Sequence, residues 1–275
     1  MWCDRMVYAG VEAGPGKRRF SYLDLLASIG SAKHIGGKGA TETLINEAGI
    51  RPGSLVLDVG CGMGKTSCML AKERGCHVIG LDIMPRMVRE SRERARRLGV
   101  DDKAAFLRCD ARSLPFKPET FDAVIVESVT IFVEEVEKAL AEYRRVVKNG
   151  GAVCDNEVCV TRDAMGKMVD RLDDLKSIFT AFCSMTSKGI LTFEDWKELY
   201  EKLFGNVRAS HHLLDMSVEM ETRREDGLKS IAAGIKSMWL YMTNPEARKI
   251  IDEGRKMMSF QGEFGYGLFV SHKRG

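Results

Sequence analysis

Apolar positions recur along this chain in two rhythms. Short, nearly continuous apolar runs at Ser54 to Val59, His77 to Asp82, Ala105 to Arg108, Phe121 to Glu127 and Gly151 to Glu157 read as buried strands. Between them, Lys65 to Arg74, Met84 to Leu98 and Glu134 to Val147 space their apolar residues three and four apart, which is the helical rhythm. Strands alternating with helices predict an α/β domain, a parallel sheet covered on both faces. Ahead of it lie an amphipathic stretch from Tyr22 to Ile29, the run His34-Ile35-Gly36-Gly37, and a helix from Thr41 to about Ala48, stopped by Arg51-Pro52-Gly53. The second half changes character. Helical patterning covers Arg162 to about Cys183 and Phe193 to Phe204; a strand follows at Asn206 to Leu213; Val218 to Tyr241 and Asn244 to Met258 are again helical; and Tyr266 to Ser271 is the final strand. The connection between those last two strands is far longer than a hairpin needs, so it is expected to cap the sheet. The expected organisation is an N-terminal helical lid (1–50), a core of alternating strands and helices (51–160), and cap insertions with the last two core strands (161–275).

In such sheets ligands sit beyond the carboxyl ends of the strands. Asp58, Asp82, Asp110, Glu127 and Glu157 all fall at or next to predicted strand ends. The first strand runs into Leu57-Asp58-Val59-Gly60-Cys61-Gly62-Met63-Gly64-Lys65-Thr66. A dinucleotide fingerprint requires a third glycine where Lys65 stands, and a P-loop requires its first glycine where Val59 stands. The match is instead Asp-x-Gly-x-Gly-x-Gly. An acid directly before the turn suits a cationic amino-acid group and would repel a pyrophosphate. A carboxylate at Asp82, closing the next strand, can hold two vicinal hydroxyls.

These residues resemble motif I and the second acidic position of the class I S-adenosylmethionine-dependent methyltransferases. Two further stretches are similar to that family's motifs: Cys109-Asp110-Ala111 before Leu114-Pro115-Phe116, and the Lys148-Asn149-Gly150-Gly151 turn. The resemblance implies a Rossmann-like seven-stranded, mostly parallel sheet with a helical cap, and S-adenosyl-L-methionine as cofactor. It also implies Gly60, Gly62 and Gly64 under the cofactor backbone, Asp58 by its amino group and Asp82 on the ribose. Ile83 would then lie against the adenine, Asp110 and Ala111 at the adenine edge, and Glu127 close by. Within the family the chain is similar to small-molecule N-methyltransferases of the phosphoethanolamine and sarcosine/dimethylglycine type. The shared features are Gly36-Gly37-Lys38-Gly39-Ala40-Thr41 ahead of motif I and an aromatic-rich last strand at Phe264 to Phe269. That likeness places His34, Gly36 and Gly37 at the cofactor. The phosphobase enzymes' catalytic histidine has no counterpart, because Phe132 stands in its region.

Composition narrows the partners. Net charge is only +3 over 275 residues, with acids and bases interspersed, so nothing argues for nucleic acid. Eight scattered cysteines make no Cys-x-x-Cys pair, so reduced thiols and no metal site are expected. The absence of a long apolar run predicts no membrane partner and a cytoplasmic location. The expected activity is methyl transfer to a small molecule, an amine nitrogen first. A thiol or arsenite, which would use Cys154, Cys159 or Cys183, a quinone or other lipid, and a non-catalytic cofactor-binding module are the alternatives. Glu127, Glu157 and His34 are the candidate catalytic groups. Arg162 and Lys167 are candidates for holding a carboxylated acceptor, Tyr8 and Tyr22 for the lid, and His211 and His212 lie in the penultimate strand.

Overall fold

The computed structural model describes residues 20–30, 35–182, 191–215, 227–260 and 262–274. Seven strands form one sheet: β1 (Leu55–Val59), β2 (His77–Asp82), β3 (Ala104–Arg108), β4 (Phe121–Glu127), β5 (Val147–Cys159), β6 (Arg208–Leu213) and β7 (Gly265–His272), in the order β3-β2-β1-β4-β5-β7-β6. The first five are parallel, and β7 joins β5 and β6 antiparallel. Chain order reverses between β1 and β4, which opens a crevice at their carboxyl ends. Register brings the acids there together: Asp58 lies opposite Gly80 and Ile125, Asp82 opposite Arg108, and Glu127 opposite Asn156.

Because successive strand residues face opposite ways, Val56 and Leu57 feed two separate cores. On one face Val56, Val78 and Ile125 pack with Leu44, Ile45 and Leu70 of α2 (Gly37–Glu47) and α3 (Lys65–Glu73), beside α4 (Pro85–Leu98). On the other, Leu57, Val124 and Phe269 pack with Tyr143 of α5 (Val136–Val146) and Trp196 and Tyr200 of α8 (Phe193–Phe204).

Several boundaries differ from those the sequence predicts. Helix α2 starts at Gly37, four residues before Thr41, with Gly36 in a left-handed conformation as its cap. Strand β5 runs through the predicted Gly150-Gly151 turn, because Gly150 and Lys273 hydrogen-bond across to the last strand. The long helix expected from Arg162 breaks into α6 (Arg162–Lys167), a 3₁₀ turn (Val169–Arg171) and α7 (Leu172–Phe182). Gly166 weakens the helix there, and the break lets Met168 join Leu175 and Phe179 in a core with Phe260 and Phe264. Of the predicted Val218 to Tyr241 helix, residues 218–226 lie outside the described residues and α9 spans Leu228–Thr243; α10 spans Pro245–Met257.

The cap gathers around α1 (Tyr22–Ile29). Ser21 and Asp24 cap its start reciprocally and Gly30 ends it in the left-handed conformation. Its Leu25 packs with Leu240 of α9 and Ala247 and Ile250 of α10. The Tyr22 ring meets Phe182 edge-on at 4.6 Å and Phe132 at 5.9 Å, which ties α1 to α7 and to the turn after β4. No helix among the described residues is long and apolar enough to cross a membrane.

Candidate active site

The glycine turn is held from two sides. The Cys61 N–H donates to Leu81 O at 2.7 Å, and the Gly62 N–H to Asp82 Oδ2 at 2.9 Å; the other Asp82 oxygen accepts from the Met84 N–H at 2.8 Å. Each carboxylate oxygen has a second lone pair, so Asp82 still has acceptor capacity toward the crevice. Burial holds its carboxyl above the usual aspartate range. Gly60 has φ of +71°, and a Cβ there would lie 2.2 Å from the Val129 side chain. Only glycine lets β1 and the turn after β4 approach this closely.

Asp58 is buried and accepts from the Ser67 hydroxyl. Burial raises its carboxyl to about 7, helped by the charges of Glu127 and Asp82 and opposed by the Ser67 hydrogen bond. Glu127 accepts from Thr41 at 2.6 Å and Thr66 at 2.7 Å, so one carboxylate links α2, β4 and α3. Asp110 takes a two-pronged contact from Arg112, at 2.7 and 3.0 Å, which lowers its carboxyl below the ordinary value.

These groups open onto a cavity of about 1100 Å³. Pockets for a single ligand run from ~300 to 1,000 Å³, so there is room for a nucleoside and a second molecule. One end is lined by Gly37, Asp58, Gly60, Gly62, Asp82, Ile83, Asp110, Ala111 and Glu127. The other end changes chemistry: Tyr22, Ile131, Phe132, Phe179, Phe182 and Phe264 form its wall, with Val158 and Met257. Among the described residues no cluster of His, Cys, Asp and Glu could hold a metal ion.

Residues 57–154, the span from the glycine turn into β5, match the family model described as a methyltransferase domain. The chain is 32% identical over 188 residues to an uncharacterized protein of Haemophilus influenzae, covering 67% of this chain and 72% of that one. The chain belongs to the S-adenosylmethionine-dependent methyltransferases. It is also 39% identical over 108 residues to sterol 24-C-methyltransferase ERG6B of Gibberella zeae, but spans only 28% of that enzyme and matches it over 39% of its own length. The fold is similar to that of phosphoethanolamine N-methyltransferase 2 of Haemonchus contortus, solved with S-adenosyl-L-methionine, with a TM-score of 0.64 and 18% identity, covering 94% of this chain and 59% of that one. S-adenosylmethionine is the cofactor of this methyltransferase, and a glycine cradle flanked by carboxylates suits its cationic amino-acid end and its diol.

Not every residue that the sequence nominates reaches the cavity of the methyltransferase. Gly36 and Gly64 are outside its lining: a Cβ on Gly36 would strike the Tyr266 ring at 2.5 Å, and one on Gly64 would strike Ser91 at 2.8 Å. Both serve close packing behind the turn. Glu157, a catalytic candidate, is fully buried and is not among the residues that line the cavity. Its Oε1 accepts from the Val129 and Thr130 N–H groups at 3.0 and 2.6 Å. Strand alternation sends it into the core while its neighbour Val158 lines the cavity. Arg162 pairs with Asp195 and Glu198, and Lys167 with Asp163, all away from the cavity. Cys154 and Cys159 are buried in β5, where burial pushes their thiols well up and keeps them protonated. His211 and His212 lie on β6, outside the cavity. His34, Tyr8 and Cys183 lie outside the described residues. The sequence reading missed Thr66, the second residue of α3 and a hydrogen-bond donor to Glu127, and the aromatic wall contributed by α7.

Proposed function

We propose that this methyltransferase moves a methyl group from S-adenosylmethionine onto a predominantly apolar small molecule held in the cap half of the cavity. The observation that carries this reading is the aromatic and aliphatic wall beyond the glycine turn, built by Tyr22, Ile131, Phe132, Phe179, Phe182 and Phe264. Such a wall gains from removing apolar surface from water and gives little to a polar acceptor. In this reading Asp82 receives the ribose hydroxyls and Gly60 and Gly62 let the cofactor chain approach. Asp58 and Glu127 answer its cationic amino-acid end. Ile83, 48% exposed at the mouth, covers the adenine face, with Asp110 and Ala111 at its edge. Gly37 and His34 belong to the segment that closes over the cofactor in this reading, with α1 as a lid and residues 161–275 supplying the cap.

S-adenosylmethionine supplies an electrophilic methyl group, so the chain needs only to align the acceptor atom behind that carbon. The carbon–sulfur bond breaks as the new bond to the acceptor forms, and a proton leaves the acceptor where it carried one. Glu134, exposed and lining the cavity two residues after Phe132, is the carboxylate this reading assigns to pass that proton to water.

A second reading keeps the amine acceptor. Aromatic faces attract cations, and Glu127 and Glu134 offer negative charge to an ammonium group. Incubation with labelled cofactor and two acceptor pools separates the readings. Isoprenoid or aromatic alcohols and quinols form one pool, and small primary to tertiary amines the other. Label extracted into organic solvent supports the apolar acceptor. Label found solely in the amine pool overturns it.

A further inference from the structure

Helix α9 turns two unlike faces to its surroundings. Ser230, Ala233, Gly234 and Ser237 line the cavity, and Leu240 is buried against α1 and α10. On the other side Ile231, Ile235, Met238, Trp239 and Met242 are between 57% and 67% exposed. Their spacing of four, three, one and three residues keeps all five within one stripe of about 100° along the helix. A stripe of five large apolar side chains exceeds the scattered single residues expected on a water-facing surface.

The rims of the stripe select its occupant. Residues 228–243 include no Asp or Glu. Exposed Lys236 lies on one flank, and on the other Arg248 and Arg255 stand over the Tyr241 ring, 5.5 and 4.9 Å from its centre. Arg248 also donates to the carbonyls of Tyr241 and Met242, which holds its charge beside the stripe. The nearby acids are engaged: Glu246 by the Phe20 N–H, Asp252 by Arg255 and Glu253 by Lys256. An apolar strip with a tryptophan and basic flanks is the pattern of a helix lying in the interface of a bilayer. Pairing with a second copy through the same face would set Lys236 and Arg248 against their own images, with no acid on α9 to answer them.

We propose that α9 docks on an anionic lipid surface, with its apolar stripe among the acyl chains and Lys236 and Arg248 at the headgroups. This sets the cavity wall formed by the inner side of the same helix about one helix diameter, ~10 Å, from the membrane surface, which shortens the path of an apolar acceptor from lipid to the cap half. The purpose rests on the apolar-acceptor reading, but the docking does not.

The test uses the full chain with Trp2→Phe, which leaves buried Trp196 and exposed Trp239 as the fluorophores. Vesicles of phosphatidylcholine with phosphatidylglycerol are expected to shift Trp239 emission to the blue and to co-sediment the protein, less at high salt. Ile235→Ser and Lys236→Glu should each cut the bound fraction about tenfold, while the thermal shift given by S-adenosylhomocysteine stays unchanged as a check on folding. Equal sedimentation of wild type and Ile235→Ser overturns the proposal. So does blue emission before lipid is added, whether in a dimer that Ile235→Ser splits, which gives the face to a second copy, or in a monomer, which gives it to the chain itself. Vesicle binding is read without any methyl transfer, so its failure leaves the acceptor reading standing, and failure of the acceptor reading leaves the docking result intact.

Discussion

Asp82 carries two duties with one carboxylate: its oxygens already hold the N–H groups of Gly62 and Met84, and the proposed diol would be added to them. Removing it therefore loosens the turn and deletes charge-assisted hydrogen bonds to the cofactor together. Such bonds contribute about 1.5–3 kcal/mol each, so Asp82→Ala should weaken S-adenosylhomocysteine binding about a hundredfold or more by calorimetry. An unchanged affinity would remove the diol assignment. Asp58 makes a prediction of another kind. Burial raises its carboxyl from the ordinary 3.8 to about 7, so between those values the folded chain keeps a proton that the unfolded chain has released. The Asp58 contribution to the stability of the ligand-free protein then falls as pH rises from about 4 to about 7, by at most about 1.4 kcal/mol per pH unit for this one proton. Urea unfolding at pH 5 and pH 7.5 should show a smaller decline for Asp58→Asn than for the wild type. Equal declines would mean that Asp58 ionises as readily folded as unfolded. Both residues were legible in the sequence, because an acid at the edge of a glycine turn and an acid closing the next strand are fixed by local spacing.

The turn after β4 shows what spacing does not encode. Ser128 adopts a left-handed φ of +56°, Val129 fills the space that a Gly60 side chain would need, and Glu157 grips the next two N–H groups from β5. As a strand-end acid, Glu157 reads in sequence like Glu127. Which of the two faces the cavity is decided by the pairing of β5 with β4 and by where β5 ends, two residues beyond the predicted end. Burial and the neighbouring Asp155 charge push the Glu157 carboxyl well up, which favours its neutral form. A glutamine keeps the accepting oxygen and the neutral state. Glu157→Gln should thus retain methyl transfer within a few-fold, while Glu157→Ala leaves two buried N–H groups without an acceptor and should cost about 2–4 kcal/mol in urea unfolding. If Glu157→Gln folds normally, binds S-adenosylhomocysteine and yet abolishes turnover, the group is catalytic after all. The broken helix after Arg162 has a similar cause: its periodicity was visible, but the break after Lys167 is set by Met168 and Leu175 reaching a core shared with Phe260 and Phe264, residues distant in sequence.

Across the whole molecule the two ends of the cavity are made by different parts of the chain. The proposed cofactor end comes from β1 to β4 and their following turns, where local motifs and the parallel alternation set which residues stand at the crevice. The acceptor end is assembled from α1, the turn after β4, α7 and the stretch before β7, brought together only by tertiary packing, so no spacing in the sequence announced its aromatic wall. The Tyr22 ring between Phe132 and Phe182 is the joint among three of these pieces. Shortening Phe182 to alanine removes the edge-on partner at 4.6 Å and a share of the acceptor wall, while leaving Asp82, Gly60 and Gly62 untouched. Phe182→Ala should therefore raise KM for the acceptor about tenfold or more, since a truncated aromatic loses roughly 1.5–3 kcal/mol of burial, while the calorimetric affinity for S-adenosylhomocysteine stays within about twofold. Asp82→Ala should show the reverse division. If Phe182→Ala instead weakens cofactor binding as much as it weakens the acceptor, the two ends are one site, and α1 closes on the cofactor instead of on the molecule that receives the methyl group.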